Sequence, residues 1–477
     1  MTKRKLLIGP FNRVEGDLEI RLEVEDGHVA AAFTNSPMFR GFEAMLQGKG
    51  PMDALTLTPR ICGICSISQS AAAAAALGAA AGVSPAPQGA LVTALLHGIE
   101  NLSDHLTHFN LFFCADFARP AYRDRTWHER AVARFTAMEG SATRECIEAR
   151  AQLLHIVGLL GGKWPHTLAI QPGGVTRAPS LRDKMRILAS LTAFRRYLER
   201  VMFGAPVEAF ASLSSAEAVT GWDTGDVGLF MEIAADLNLG HMGDGPGRYM
   251  SFGAYPIGET RAFAAGIWDA GTLRPLETSG IREDLSHAWM LGKSAHPAKG
   301  TTIPDEDMRE EAYSWCKAPR LDGQTIETGA FARQVIDAHP AALDMAQKAS
   351  TVLSRVAGRL LEIARTQIML EDWAKAIQPD AHFIDNFDAP HSGTGEGLVE
   401  AARGALGHWI DIQDGRIESY QIIAPTTWNF SPRDANGLPG PVEAALVGAP
   451  VGEQENTPLS VQHIVRSFDP CMVCTVH

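Results

Sequence analysis

The chain has 477 residues, with 42 Lys and Arg against 55 Asp and Glu for a formal charge of −13, an acidic balance that gives no electrostatic basis for binding nucleic acid. With 45% hydrophobic and 20% charged residues, the composition is that of an ordinary globular protein and excludes disorder as the main state. No apolar run reaches the roughly 18 residues of a membrane-spanning helix, and Leu6-Leu7-Ile8 before Gly9-Pro10 is too short for the core of an export signal. Seven cysteines, an odd number that includes two C-x-x-C pairs, point to a reducing compartment, taken as the cytoplasm, and to metal or redox chemistry rather than a disulfide framework.

In chain order, residues 18–24 alternate apolar and polar with period two, and Asp26-Gly27 turns them into a second strand over 29–34, the pattern of a β-hairpin. The alanine-rich run 71–83 is a helix closed by Ser84-Pro85, and helical periodicity covers 88–113, 141–160, 180–203 and 343–369. Pro/Gly-rich stretches at 254–258, 295–304 and 426–441 are predicted as long ordered loops. Gly393, Gly395 and Gly397 lack the buried strand that a dinucleotide loop needs before it, so they too are predicted as a loop, leading to Arg403. A second hairpin flanks Asp414-Gly415. The expected class is α+β: mostly helical, a central helical bundle with small antiparallel sheets near the N- and C-terminal parts. At about 150 residues per domain the length suggests three units, but the cysteines favour one compact unit over 1–477.

Those cysteines are Cys62-Gly63-Ile64-Cys65 near the start and Cys471-Met472-Val473-Cys474 near the end. Two intervening residues let both thiolates of a pair face one ion, and four thiolates suit a soft metal such as zinc, nickel or an iron cluster. Spacing alone leaves open a single shared site, two unrelated pairs, or a zinc staple. The flanks are more specific. Arg60-Ile61-Cys62-Gly63-Ile64-Cys65 and Asp469-Pro470-Cys471-Met472-Val473-Cys474-Thr475-Val476-His477 closely resemble the two signature motifs of nickel-iron hydrogenase large subunits. The resemblance extends through Arg13-Val14-Glu15-Gly16, Arg40-Gly41-Phe42-Glu43, Gly161-Gly162-Lys163, Arg403-Gly404-Ala405-Leu406-Gly407-His408-Trp409 and Pro425-Thr426-Thr427-Trp428-Asn429.

The resemblance implies the nickel-iron hydrogenase large-subunit fold and a nickel-iron centre with carbon monoxide and cyanide on the iron. It makes Cys62 and Cys471 terminal nickel ligands and Cys65 and Cys474 bridges to iron. Dihydrogen is a very weak acid, so its cleavage needs a soft electron-rich metal and a nearby base together. By the same resemblance Glu15 is the first proton carrier away from Cys471, a task for a carboxyl whose pKa burial raises. Arg403 places its guanidinium over the open metal position, with Asp104 and Asp469 orienting it. For Glu15 the alternative is a surface salt-bridging glutamate, and for Arg403, Asp104 and Asp469 it is an ion pair that supports the fold. Thr426 is the expected hydroxyl donor to a cyanide, with Thr427 able to replace it. Glu43 and His477 resemble the family's magnesium ligands. Asp104, His105 and His108 lie at helical spacing and resemble a small metal site, but a satisfied polar patch is the plainer reading.

Cys114, Cys146 and Cys316 have no iron-sulfur spacing and are expected as buried core thiols. Iron-sulfur clusters are therefore expected only in a partner, the family's small subunit, in a heterodimer or a dimer of heterodimers. Where most members have histidine four positions after the second cysteine, this chain has Gln69, a neutral amide that cannot change charge. Asp17 and Trp164 stand where histidine is common, and Ala402 where proline is. Gln69 resembles the hydrogen-sensing branch, which reports dihydrogen to a histidine kinase. Ile64 and Phe112 match the bulky residues of that branch's gas channel, the alternative being ordinary core packing. The first expectation is thus a slow, sensory hydrogenase. An uptake hydrogenase feeding a respiratory chain is the second, and a non-catalytic protein with a structural zinc the third. The end at His477 fits either a native terminus or a processed one.

Overall fold

Two Asp-Gly turns set the hairpins near the two ends of the chain. Asp26 and Gly27 have φ of 47° and 78°, and Asp414 and Gly415 have 51° and 72°, the left-handed pair whose twist matches a two-residue hairpin. The structure, a computed structural model, describes residues 3–477. β1 (Lys3–Ile8), β2 (Glu19–Glu25) and β3 (His28–Asn35) pair antiparallel in that order, with Leu22 opposite both Leu6 and Ala32. Ile20, Leu22 and Val24 are buried on one face while Arg21 is exposed, the period-two pattern read from the sequence.

The helices follow the predicted periodicity closely. They are α1 (Ser66–Ala81), α2 (Pro87–Thr107), which continues in wide π turns over His108–Phe113, α3 (Ser141–Gly161), and α4 (Leu181–Tyr197). Ser180 and Asp183 form a capping box at the start of α4, satisfying its free amides. The helical middle needs a correction, because it also contains a sheet of β4 (Tyr249–Ile257), β5 (Thr260–Asp269) and β6 (Thr272–Arg274). The loop predicted at 254–258 lies largely in β4. Burial runs unbroken from Tyr249 to Tyr255, and a strand covered on both faces loses the alternation that reveals it. After α5 (Ala330–Ile336), the helix predicted over 343–369 is divided. A short helix, Pro340–Met345, ends before Thr351, whose capping box with Ser354 starts α6 (Val352–Ala376).

β7 (Gly393–Ala401), β8 (Gly404–Gln413) and β9 (Arg416–Ile423) form the last sheet. This overturns the loop predicted at Gly393, Gly395 and Gly397. The three glycines face α1: a Cβ on them would lie 2.8 Å from the Ala80 carbonyl oxygen, 2.1 Å from that of Ala76 and 1.9 Å from that of Ala72, respectively. Helix backbone therefore lies directly on strand backbone, which only residues without a side chain permit. The stretch 426–441 opens with a helical turn, Pro425–Asn429, before becoming irregular, and 295–304 is irregular apart from a 3-10 turn and a two-residue strand. α7 (Leu459–Ser467) leads to the C-terminal motif. The main hydrophobic core joins Leu6 and Ile20 to Leu77, Leu360, Ile410, Cys471 and Cys474, so both ends of the chain share it. Among the described residues no helix is long and apolar enough to cross a membrane.

Candidate metal centre

Cys62 and Cys65 lie just before α1, while Cys471 caps the last helical turn, Met472–Thr475, and Cys474 lies within it. The structure brings the two pairs together. Sγ of Cys62 lies 3.6 Å from Sγ of Cys471, Cys65 lies 3.3 Å from Cys474, and Cys471 lies 3.1 Å from Cys474. All four are buried and none forms a disulfide. Hydrogen bonds from Cys471, Cys474 and Cys65 hold Cys62 well below the usual thiol range. Burial and the charge on Cys62 push Cys471 well above it, and donation to its neighbours does the same for Cys474. Four sulfurs this close cannot all ionise without a cation among them, so the donor set fits a soft metal that takes up their charge.

Both ends are tied by backbone. Glu15 N donates to Pro470 O at 3.3 Å and Met472 N donates to Glu15 O at 2.7 Å, so Glu15 pairs with the Cys471 turn like a short parallel bridge. Gly16 follows at φ 77°, and a Cβ there would meet Val473 Cγ1 at 2.9 Å. Arg40 donates to the carbonyls of Ile61 and Val473, each the residue before a cluster cysteine. One guanidinium thus clamps both motifs, a role visible in the sequence only as a member of its motif. Glu15 is half-buried, and desolvation followed by the charge on Cys62 raises its pKa against the pull of Arg403 and Arg40.

Arg403 is buried at the β7–β8 turn. Its Nη1 and Nη2 grip Asp104 as a fork, Nη2 also reaches Asp469 Oδ1 at 3.2 Å, and Nε donates to Asp469 O at 2.9 Å. Burial raises the pKa of Asp104 despite Arg403, whereas for Asp469 burial is outweighed by Arg403, His108 and Arg359 and the pKa falls. The turn itself is held by Arg333, which the sequence reading missed. Its guanidinium donates to Ala401 O at 2.8 Å and Ala402 O at 2.9 Å while pairing with Glu362 and Glu400. Arg355, Arg359 and Glu362 line one face of α6. Arg355 pairs with Glu327, Arg359 donates to Ser467 O and Phe468 O, and Glu362 takes Arg333 and His105. His105 and His108 go to different partners, Glu362 and Arg466 O. With Asp104 on Arg403, this trio is a polar patch rather than a metal site.

Three further residues complete the surroundings. Thr426 Oγ1 accepts from Cys471 N at 3.2 Å, which leaves its own O–H without a protein acceptor among the described residues, while Thr427 donates to Thr475 O. Gln69 Oε1 lies 2.8 Å from His408 Nε2, and its buried Nε2 has no partner among the described residues. Ile64 is half-buried against the core, and its N–H lies 3.3 Å from Cys62 Sγ, while Phe112 is half-buried with its carbonyl bound by Arg13.

At the chain end, Glu43 Oε1 accepts from Ile422 N at 2.7 Å and lies 3.3 Å from His477 Nε2, while Oε2 lies 3.3 Å from Lys317 Nζ. Against the cost of burial, Lys317 and His477 hold Glu43 below the usual carboxyl range. Glu283, also paired with Lys317, has one oxygen without a partner. A cavity of ≈ 20 Å³ lies among Glu43, Glu283, Lys317, Ile422 and His477, room for one water-sized occupant. A small hard cation fits these oxygen and imidazole donors. Cys114, Cys146 and Cys316 are buried free thiols remote from the cluster in sequence, and burial raises each pKa.

The profile of the family described as Nickel-dependent hydrogenase matches residues 40–126 and 141–477. The chain is 28% identical to the periplasmic [NiFeSe] hydrogenase large subunit of Desulfomicrobium baculatum, over 100% of this chain and 95% of that protein. It is 26% identical to the uptake hydrogenase large subunit of Afipia carboxidovorans, over 99% and 95%. A solved structure of the dihydrogen-activated [NiFeSe] hydrogenase of Desulfomicrobium baculatum superposes with a TM-score of 0.87 at 28% identity, with 100% of both chains covered.

Proposed function

The chain belongs to the nickel-dependent hydrogenase family, and on that premise we propose that it is the catalytic large subunit of an enzyme that cleaves dihydrogen heterolytically and passes the electrons to an iron-sulfur small subunit. The observation that carries this reading is the meeting of four buried sulfurs from the two ends of the chain, beside Arg403 and Glu15. A nickel-iron centre held by Cys62, Cys65, Cys471 and Cys474, with carbon monoxide and cyanide on the iron, would supply a soft acceptor for the electron pair of dihydrogen. The protein's own residues do the rest. Glu15 takes the proton leaving the Cys471 side, since burial raises the pKa of its carboxyl and makes its carboxylate a stronger proton acceptor than a free one. Arg403, fixed by Asp104 and Asp469, presents a constant positive charge to the cluster. The free O–H of Thr426 is available to a cyanide nitrogen.

Glu43 and His477, with Glu283 near them, would hold magnesium and anchor the C-terminal motif. Nickel and iron analysis with infrared spectroscopy of the purified heterodimer tests the whole reading. Nickel, iron and bands from carbon monoxide and cyanide are expected. Zinc without such bands would leave a structural site and no hydrogenase.

For the biological role we place hydrogen uptake feeding an electron-transfer chain first, on the likeness to a relative that carries that name. Hydrogen sensing through a histidine kinase, with slow turnover and a cytoplasmic location, is the second reading. It is favoured by Gln69 in the place of the family's usual histidine and by the bulk of Ile64 and Phe112. Dye-coupled turnover, kinase phosphorylation under dihydrogen and cell fractionation separate the two. Fast sustained turnover with no kinase response supports uptake, and slow turnover with dihydrogen-dependent phosphorylation supports sensing.

A further inference from the structure

Tyr420 is fully buried, and the hydroxyl has one hydrogen-bond partner among the described residues, Nδ1 of His408 at 2.8 Å. The other ring nitrogen of His408 faces Gln69 Oε1 at 2.8 Å. These contacts determine which way each group points. A buried phenol O–H must be given an acceptor, and His408 Nδ1 is the one within reach, so Nδ1 carries no proton. Burial keeps the imidazole neutral, with its pKa lowered to about 3, so the single ring proton sits on Nε2 and is donated to Gln69 Oε1. The amide is thereby oriented with its oxygen toward His408. Its NH2 group is left buried and unpartnered.

Gln69 follows Cys65 by one helical turn, with Gln69 N bonded to Cys65 O at 3.1 Å. Cys65 is the N-cap of α1 and helix side chains lean toward the N-terminus, so the Gln69 side chain leans toward the turn that carries Cys65. We infer that Tyr420 and His408 are positioning residues that hold the Gln69 carboxamide with its NH2 turned toward the cysteine cluster, as a donor to a lone-pair acceptor of the assembled centre. The inference rests on the nickel-iron reading above. The acceptor is a bridging thiolate sulfur or a cyanide nitrogen, which share the chemistry of a soft, electron-rich lone pair. A neutral amide gives a donor there and an acceptor on its far side without adding charge, and it works only if its two ends are not exchanged.

Infrared spectroscopy of the assembled heterodimer tests this with Gln69→Leu, Tyr420→Phe and the double variant. Both single variants are expected to move the diatomic bands in the same direction, because without the phenol His408 can protonate at Nδ1 and the amide can turn over. The double variant is expected to match Gln69→Leu alone, since Tyr420 acts only through the amide. A cyanide band moving by itself identifies a cyanide acceptor, while joint movement of the carbon monoxide band identifies sulfur. Unmoved bands in Tyr420→Phe with normal metal content, or shifts that simply add in the double variant, would overturn the inference.

A second readout needs no metal-centre signal. In the spectrum of 15N-histidine-labelled protein, assigned with His408→Gln, His408 is expected to carry its proton on Nε2. A proton on Nδ1 in the wild type overturns the inference even if Tyr420→Phe fails to assemble. A wild-type protein with no diatomic bands at all removes the nickel-iron reading and this inference with it.

Discussion

The carbonyl oxygen of Ala72 lies 1.9 Å from where a Cβ on Gly397 would stand, so the helix that begins beside Cys65 rests on the strand that ends beside Arg403. Gly397→Ala must push α1 and β7 apart. Overpacking of this kind costs about 1–3 kcal/mol, and here it also displaces one half of the sulfur cluster from the other. Thermal unfolding should show the lost stability, and the nickel-to-protein ratio should fall with it. Gly158→Ala on α3, where a Cβ meets nothing within 4 Å, is the control, expected to be neutral or stabilising by up to about 1 kcal/mol. Full nickel occupancy in Gly397→Ala would mean that this contact does not position Cys65.

The same contact shows why part of the fold was hidden in the sequence. The hairpins at Asp26-Gly27 and Asp414-Gly415 were legible, because one-sided burial writes a period of two into β2. Gly393, Gly395 and Gly397 also alternate, but glycine is read as a breaker, and its partners Ala72, Ala76 and Ala80 are far away in sequence. β4 was hidden for the opposite reason, being apolar on both faces. The cysteines, Glu15, Arg403 and Glu43 were legible through their motifs. Arg333 and Tyr420 were not, since nothing local separates a buried arginine or tyrosine from a surface one, and His408 was visible only as a member of its motif. The Arg355, Arg359 and Glu362 stripe follows helical spacing, which ordinarily marks a solvated face, yet all three are buried.

Glu15→Gln keeps the shape and the backbone pairing with the Cys471 turn but removes the titratable proton. Hydrogen-deuterium exchange activity is expected to fall by about 10²-fold or more, the usual contribution of a positioned acid-base group, while nickel and iron content stay at wild-type levels. Exchange at the wild-type rate would show that protons leave by another route.

Arg403→Lys and Arg333→Lys are expected to separate chemistry from support. An ammonium cannot reproduce the fork that Arg403 makes with Asp104 and Asp469, so activity should be lost with the metals retained. Arg333→Lys should lose stability as well, by about 3–5 kcal/mol, because Glu362 and Glu400 are left buried and poorly paired. Its activity should fall too, as the carbonyls of Ala401 and Ala402 are released beside Arg403. Chemical unfolding together with turnover distinguishes them, and a fully active Arg333→Lys would free Arg403 from dependence on this network.

Glu443 gives a pH dependence that can be read without the metal centre. One oxygen of its fully buried carboxyl accepts from Thr34 N, Thr34 Oγ1 and Tyr313 OH, and the other has no hydrogen-bond partner among the described residues. Burial pushes its pKa from 4.5 up to about 7. The folded state therefore keeps a proton that the unfolded chain releases at lower pH. Its contribution is fully present below pH about 4.5 and is lost as pH rises through about 7, a difference of roughly 3 kcal/mol. Between pH 5 and 8 the unfolding temperature should fall as pH rises. Glu443→Gln, which keeps the accepting oxygen and cannot ionise, should flatten that part of the profile. An unchanged slope in Glu443→Gln would assign the pH dependence to other buried carboxyls and mean that Glu443 is ionised in the folded protein.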